Sequence, residues 1–155
     1  MCKKQKSEIE SILTNDSISM WDRTEYEMDT LEDGSLKERI YIRSVSFQTN
    51  GYANLYVKTR FHNERHIVTL GPEPDFYGAC NRYELLNDST IKMFCYEKFT
   101  IKIISRDTLQ LLDSLGNKVH DLYRVPPPWN IDKFWIERRN KEVRSGKYKE
   151  NYLIY

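Results

Sequence analysis

The residues of this 155-residue chain that could carry chemistry are three histidines, three cysteines and a set of alternating charges. His62 and His66 stand four apart, with no cysteine or third histidine in register beside them. In an extended strand such residues share a face at a separation of about 13 Å, too far to hold one ion. No metal site and no cofactor are therefore expected. His120 and Asp121 are adjacent, which in a strand turns them to opposite faces. Glu25, Glu27 and Asp29 alternate in register, but that pattern assigns no base or nucleophile. Gly-x-Ser-x-Gly, HExxH, a phosphate loop and Cys-x-x-Cys are all missing from the sequence. The expectation is a non-enzymatic protein. The richest polar grouping lies on a strand pair, where Arg39, Tyr41 and Arg43 share one parity and Tyr52, Tyr56, Lys58 and Arg60 share another. Either set, at the mouth of a cavity, would suit an anionic or aromatic ligand. The alternative, which the pattern favours, is a solvated face with Tyr–Arg cross-strand pairs.

The elements that must position these residues follow from composition and period. Length predicts one domain that buries roughly 70% of its unfolded surface. Basic residues number 24 and acidic residues 23, so no global field selects nucleic acid. No apolar run approaches the roughly 18 residues of a membrane span. Lys6 to Leu13 predicts a short helix capped by Ser7, leaving through Asn15-Asp16-Ser17. From there to Val125 the apolar period is two. Strands are predicted at 19–27, 40–48, 52–61, 66–70, 82–86, 90–95, 99–104, 109–112 and 119–125, about nine in all. Ala53, Leu55, Val57 and Phe61 form a dry face opposite a wet one. Asn50-Gly51 predicts a type I′ hairpin turn, and a parity switch between Ile42 and Val45 predicts a bulge near Arg43-Ser44. The connections are too short for crossover helices, so sequential strands are expected to be neighbours in an antiparallel meander. A sheet of that size tends to curl and close.

Two stretches echo each other, "LLNDSTIKM" from Leu85 and "ISRDTLQLL" from Ile104. Asp in a tight turn bonds its own backbone two residues on, and Ser or Thr beside it opens a strand. The echo therefore reads as turn punctuation rather than as a calcium or phosphate site, since carboxylates do not cluster there and no glycine-rich loop follows.

With these strands in order, the stretch from Trp21 to Val125 resembles the lipocalin-like domains of bacterial lipoproteins. The match is carried by Tyr83-Glu84-Leu85, Asn87-Asp88-Ser89-Thr90-Ile91, Asp107-Thr108-Leu109 and Leu122-Tyr123-Arg124-Val125. Ser19-Met20-Trp21 stands where a lipocalin has Gly-x-Trp, so the resemblance is to lipocalin-like barrels. It implies that an arginine of the last strand covers the ring of the early tryptophan and closes one barrel end. Trp21 and Arg124 are the matching pair, a contact of roughly 0.5–2 kcal/mol.

Cys2, followed by "KKQKSE", resembles the first residue of a mature bacterial lipoprotein, with the lipid on the cysteine and a polar tether behind it. The alternative is a native start and an ordinary exposed thiol. Lys3-Lys4-Gln5-Lys6 lacks the acidic cluster that resembles surface-export signals, so a periplasm-facing lipid anchor is expected, with the cytoplasm as alternative. Cys80 and Cys95 are an even pair that an oxidising compartment could join. Spacing cannot bring two Cβ atoms together, and the simpler reading has Cys95 as a small core residue and Cys80 as a loop thiol.

Pro126-Pro127-Pro128 ends the last strand. "WNIDKFWIERRNKEVRSG" predicts a helix from Asn130 to Gly146, with Ile131, Phe134 and Trp135 as its apolar stripe. Trp129, Phe134 and Trp135 would pack on the barrel wall or, alternatively, dock a partner. The expectation is thus an all-β protein, an antiparallel meander closed into a small lipocalin-like barrel of about eight or nine strands, with short N- and C-terminal helices. Its parts are a tether and helix at 1–16, the barrel at 17–125, and the exit, helix and tail at 126–155. The expected function is a monomeric carrier of a small apolar or amphipathic ligand. The alternative is a protein-interaction module, such as an immunity protein or inhibitor that holds a toxin or enzyme. An empty interior favours the first and a filled interior disfavours it.

Overall fold

The computed structural model describes residues 7–58, 64–67, 81–134, 137, 140, 141 and 144–146. Helix α1 spans Glu8–Thr14, with Ser7 accepting the Glu10 amide at its start and Asn15 left-handed (φ 48°) at its end. Ten strands follow: β1 Ile18–Thr30, β2 Leu36–Gln48, β3 Ala53–Lys58, β4 Arg65–Ile67, β5 Tyr83–Leu85, β6 Thr90–Met93, β7 Glu97–Ser105, β8 Thr108–Leu112, β9 Lys118–Val125 and β10 Ile131–Asp132. They form one mixed sheet in the order β10-β4-β3-β2-β1-β9-β8-β7-β6-β5, antiparallel except for β10 beside β4.

The sheet curls strongly but stays an open half-barrel, where the sequence predicted closure. First and last long strands do meet, since β1 pairs with β9. The sheet instead ends in β10 and β5, of two and three residues. Strands so short offer few ladder bonds. Among the described residues the two halves touch there through one isolated bridge, Tyr52 to Arg82, with the Ala53 amide on the Asn81 carbonyl and the Tyr83 amide on that of Gly51.

Three hairpin turns share one geometry. Leu31–Ser35, Gln48–Tyr52 and Asp113–Asn117 each close with a bond from the first residue's amide to the fifth's carbonyl, and each carries a left-handed glycine in fourth place, Gly34, Gly51 or Gly116. A single left-handed residue after a tight turn is the three-residue hairpin loop; type I′ would need positive φ at Asn50 also. The echoed motifs differ from each other. Asn87, not Asp88, accepts the Ser89 and Thr90 amides, whereas Asp107 holds Arg124.

No bulge interrupts β1 and β2: their register runs unbroken from Ile18↔Gln48 to Thr30↔Leu36. The parity switch is a real change of face. Val45 and Phe47 point into the curl, while Ile40 and Ile42 point outward. Among the described residues the curl interior is a packed apolar cluster. Ile9, Ile12 and Leu13 of α1 pack with Trp21, Val45, Phe47, Ala53, Tyr83, Ile91, Met93, Phe94, Phe99, Ile101, Leu109, Leu111 and Leu122.

The outer face is not simply wet. Asn54 and Tyr56, expected on the solvent side, are buried, because Val125, Trp129 and Ile131 cover Met20 and Tyr56 there. Where the sequence predicted a helix from Asn130, Ile131–Asp132 are instead a strand, and no C-terminal helix is among the elements. Beyond β10, Phe134, Glu137, Asn140, Lys141 and Arg144 have helical backbone, with the Glu137 amide on the Lys133 carbonyl and the Ser145 amide on that of Lys141.

One end of the curl is closed by α1. The Leu13 carbonyl accepts both the Trp21 indole N–H (3.0 Å) and the Ser19 hydroxyl. Arg124 lies over the Trp21 ring, 4.4 Å from its centroid, and donates to the Ile12 carbonyl at 2.6 Å. Helix-end carbonyls have no partner within the helix, so these side chains supply what α1 lacks. Trp21→Phe removes the indole donor and is expected to lower stability by about 1–2 kcal/mol, seen as a lower urea midpoint at unchanged slope.

Candidate functional site

Strand β1 sends consecutive charges to opposite faces, and each seeds a network. Asp22 faces outward and binds Ser44 (2.7 Å), Arg65 (3.1 Å) and Lys58 (3.6 Å). Arg65, itself 2% exposed, also donates to Ser44 at 2.9 Å. Arg23 faces inward, 3% exposed, at the end of the curl away from α1. It is 2.6 Å from Glu25 and 3.4 Å from Glu97. Glu25 in turn lies 3.6 Å from His120, whose ring stacks edge-on to Phe99. Two carboxylates thus neutralise one guanidinium beneath an aromatic wall. That cancels Arg23 as an anion site, while each carboxylate is tied as its counter-ion.

His120 Nδ1 sits 2.8 Å from the Thr24 carbonyl, so that nitrogen carries the proton and Nε2 is the acceptor. Burial first, and then the positive charge of Arg23, hold the imidazole below its ordinary range, against the opposing pull of the Thr24 carbonyl, Glu25 and Glu97. His120 and Asp121 do turn to opposite faces. Asp121 meets Lys118 (3.0 Å), the Tyr26 hydroxyl and Gln110.

The register carries the inner row across the sheet: Leu109, Leu122, Arg23, Arg43, Val57, His66, Asp132. Cross-strand partners share a face, so this row passes from apolar to charged as it reaches the open edge. At that edge His66 Nδ1 is 3.0 Å from Asp132 and Nε2 is 3.4 Å from Glu64. Their donor atoms all lie within 4.8 Å of one another. This cluster was invisible in the sequence, because His66 acquires its partner from a strand 66 positions on that the helix expectation had absorbed.

Beyond Thr24 and Ile42, β1 and β2 run on as a two-stranded arm. One face carries Glu25, Glu27, Asp29, Lys37, Arg39 and Arg43. On the other, Tyr26, Met28, Leu36, Ile40 and Ile42 are all exposed, from 42% to 64%. A shallow pocket of about 320 Å³ lies elsewhere, between Arg82, Tyr83, Glu84, Lys92 and Cys95.

The residues singled out in the sequence are not gathered into one site. Arg39 and Arg43 share the inner face; Tyr41 pairs with Glu25 in the backbone register. Tyr52 and Tyr56 belong to the outer parity, Tyr52 under the Arg82 guanidinium at 4.0 Å and Tyr56 buried; Arg60 lies outside the described residues. Trp21 and Arg124 are brought together. Trp129 packs on the outer face against Met20 and Tyr56 and bonds the Val125 carbonyl, Phe134 is exposed, and Trp135 lies outside the described residues. Cys95 is no core residue. It is exposed in a left-handed turn (φ 67°) and disulfide-bonded, while Cys2 and Cys80 lie outside the described residues.

Arg23→Met strands Glu25 and Glu97 without their counter-ion, and a loss of about 3–5 kcal/mol is expected in urea unfolding. His120 generates a pH dependence of known sign. Its folded pKa is depressed below the unfolded value near 6.5, so the unfolded chain binds the extra proton. Stability is full above that value and falls as pH drops toward the folded pKa. His120→Gln is expected to flatten the urea midpoint between pH 7 and 5 relative to the native chain.

No family model matches this chain, and neither a curated protein nor a solved structure matches it.

Proposed function

We propose that this chain is a non-enzymatic protein-interaction module, of the kind that holds a toxin or enzyme, docking through the outer face of the β1–β2 arm. The observation that carries this reading is a contrast. Among the described residues the curl interior holds a packed apolar cluster, where a carrier would line a hollow, yet five large apolar side chains stand exposed on one ribbon face. Together they make an apolar patch on the order of 500 Å², near the upper range for a monomer and characteristic of binding surfaces. Burying Tyr26 and Ile40, which lie directly opposite each other, would supply a central anchor, with Glu38 and Thr30 at the rim. The proposal keeps the lipid tether on Cys2 and the periplasm. A disulfide-bonded Cys95 supports an oxidising compartment.

A second reading rests on the pocket at Arg82, Glu84 and Lys92. Its size is at the small end for ligand sites, and its charges suit an amphipathic molecule with an anionic head. Native mass spectrometry of the chain from its own cells separates the two. The expected species is a one-to-one protein complex that disappears in Ile40→Glu, a surface change expected to alter stability by less than about 0.5 kcal/mol. A lipid adduct without a protein partner, unaffected by Ile40→Glu, would reverse the order of the readings.

A further inference from the structure

We propose that Glu64, His66 and Asp132 bind one divalent first-row cation of the zinc type, and that the ion fastens β10 to β4. The proposal is independent of the docking arm, which lies on the other face of the sheet.

The donor set is built by the fold. Glu64 and His66 flank Arg65 and face the same side, two positions apart along β4. The parallel pairing then sets Asp132 opposite His66. Arg65 points the other way into Asp22 and Ser44, and its amide donates to the Asn130 carbonyl at 2.7 Å. Both strands are therefore held by their backbones and by a buried guanidinium before any ion arrives, which is the preorganisation a metal site needs.

Distances and charge agree with such an ion. Metal bonds of about 2.0–2.2 Å bring neighbouring ligand atoms to roughly 3.0–3.5 Å from one another. An imidazole gives one nitrogen to an ion: the Asp132 oxygen stands 3.0 Å from Nδ1 and the Glu64 oxygen 3.4 Å from Nε2, and with one donor atom from each residue the three fall within 4.8 Å, so one carboxylate turns inward as the ion binds. One nitrogen and two carboxylate oxygens suit Zn²⁺, Co²⁺ or Mn²⁺, with Mn²⁺ the weakest binder of the three. All three side chains are about one-third exposed, so water can complete the coordination shell. Two-residue parallel pairing is also marginal by itself.

The test is titration of the chelator-treated chain with Zn²⁺ and Co²⁺. One ion per chain is expected, with His66→Gln and Asp132→Asn each weakening it at least tenfold. His120→Gln, on β9, leaves it unchanged. Because metal ligands must be deprotonated to bind, affinity is expected to fall on acidification. The ring ¹⁵N shifts of His66 in the intact chain give a readout that no folding defect can imitate. Absence of stoichiometric binding, or binding undiminished in His66→Gln, overturns the proposal. An unshifted His66 ring at saturating Zn²⁺ does the same and leaves His66 as an imidazolium clamp between two carboxylates.

Discussion

Arg124 joins parts of the chain that have no other common partner. Its guanidinium lies on the Trp21 ring, donates to the Ile12 carbonyl at the end of α1, and binds Asp107 and the Arg106 carbonyl in the β7–β8 turn. A planar cation can do this because its face attracts the ring while its edge N–H groups point outward to acceptors. The contact orients a seven-residue helix too short to persist by its own hydrogen bonds. Once α1 is seated, Ile9, Ile12 and Leu13 complete the core, and Trp21 is fully buried at its centre. Remove that cation and the β7–β8 turn loses its tie to the helix end, which then holds Trp21 through the Leu13 carbonyl alone.

The rest of the molecule is organised by β1, whose alternation sorts charge between two faces. Asp22 collects cations on the outer side and Arg23 collects anions on the inner side. Both networks are largely desolvated, so neither partner of a pair can be lost cheaply, and the strand's register is strongly specified. The outer network also fixes β4 through Arg65, and through β4 the C-terminal segment that returns as β10. Packing inside the curl and exposed apolar side chains on the arm are then two consequences of one parity switch between Ile42 and Val45.

Much of this architecture is legible without coordinates. Period two, short connections and glycine-bearing turns predict antiparallel neighbours, and Ser7 and Asn15 mark both ends of α1. Alternation cannot report what lies across a face. Tyr56 and Asn54 carry polar atoms and look solvent-facing, yet the C-terminal segment covers them. The inner cluster was half visible in the alternation of Glu25, Glu27 and Asp29, but Arg23, Glu97 and His120 come from three separate strands. Glu64, His66 and Asp132 meet only because β10 is a strand, and the period of Ile131, Phe134 and Trp135 argued for a helix.

The sequence by itself determined the class of structure: strands that alternate, turns that bear a left-handed glycine, a capped helix, and an arginine and tryptophan suited to stack. These are local properties, set by backbone sterics and by which side of a pleat each residue occupies. Only the tertiary structure decided that the curl stays open between its end strands β10 and β5, that an apolar cluster packs inside it, that the arm keeps an apolar face outward, and that His66 meets two carboxylates. Each of those depends on which segment arrives opposite which, a matter of long-range packing that no local pattern encodes.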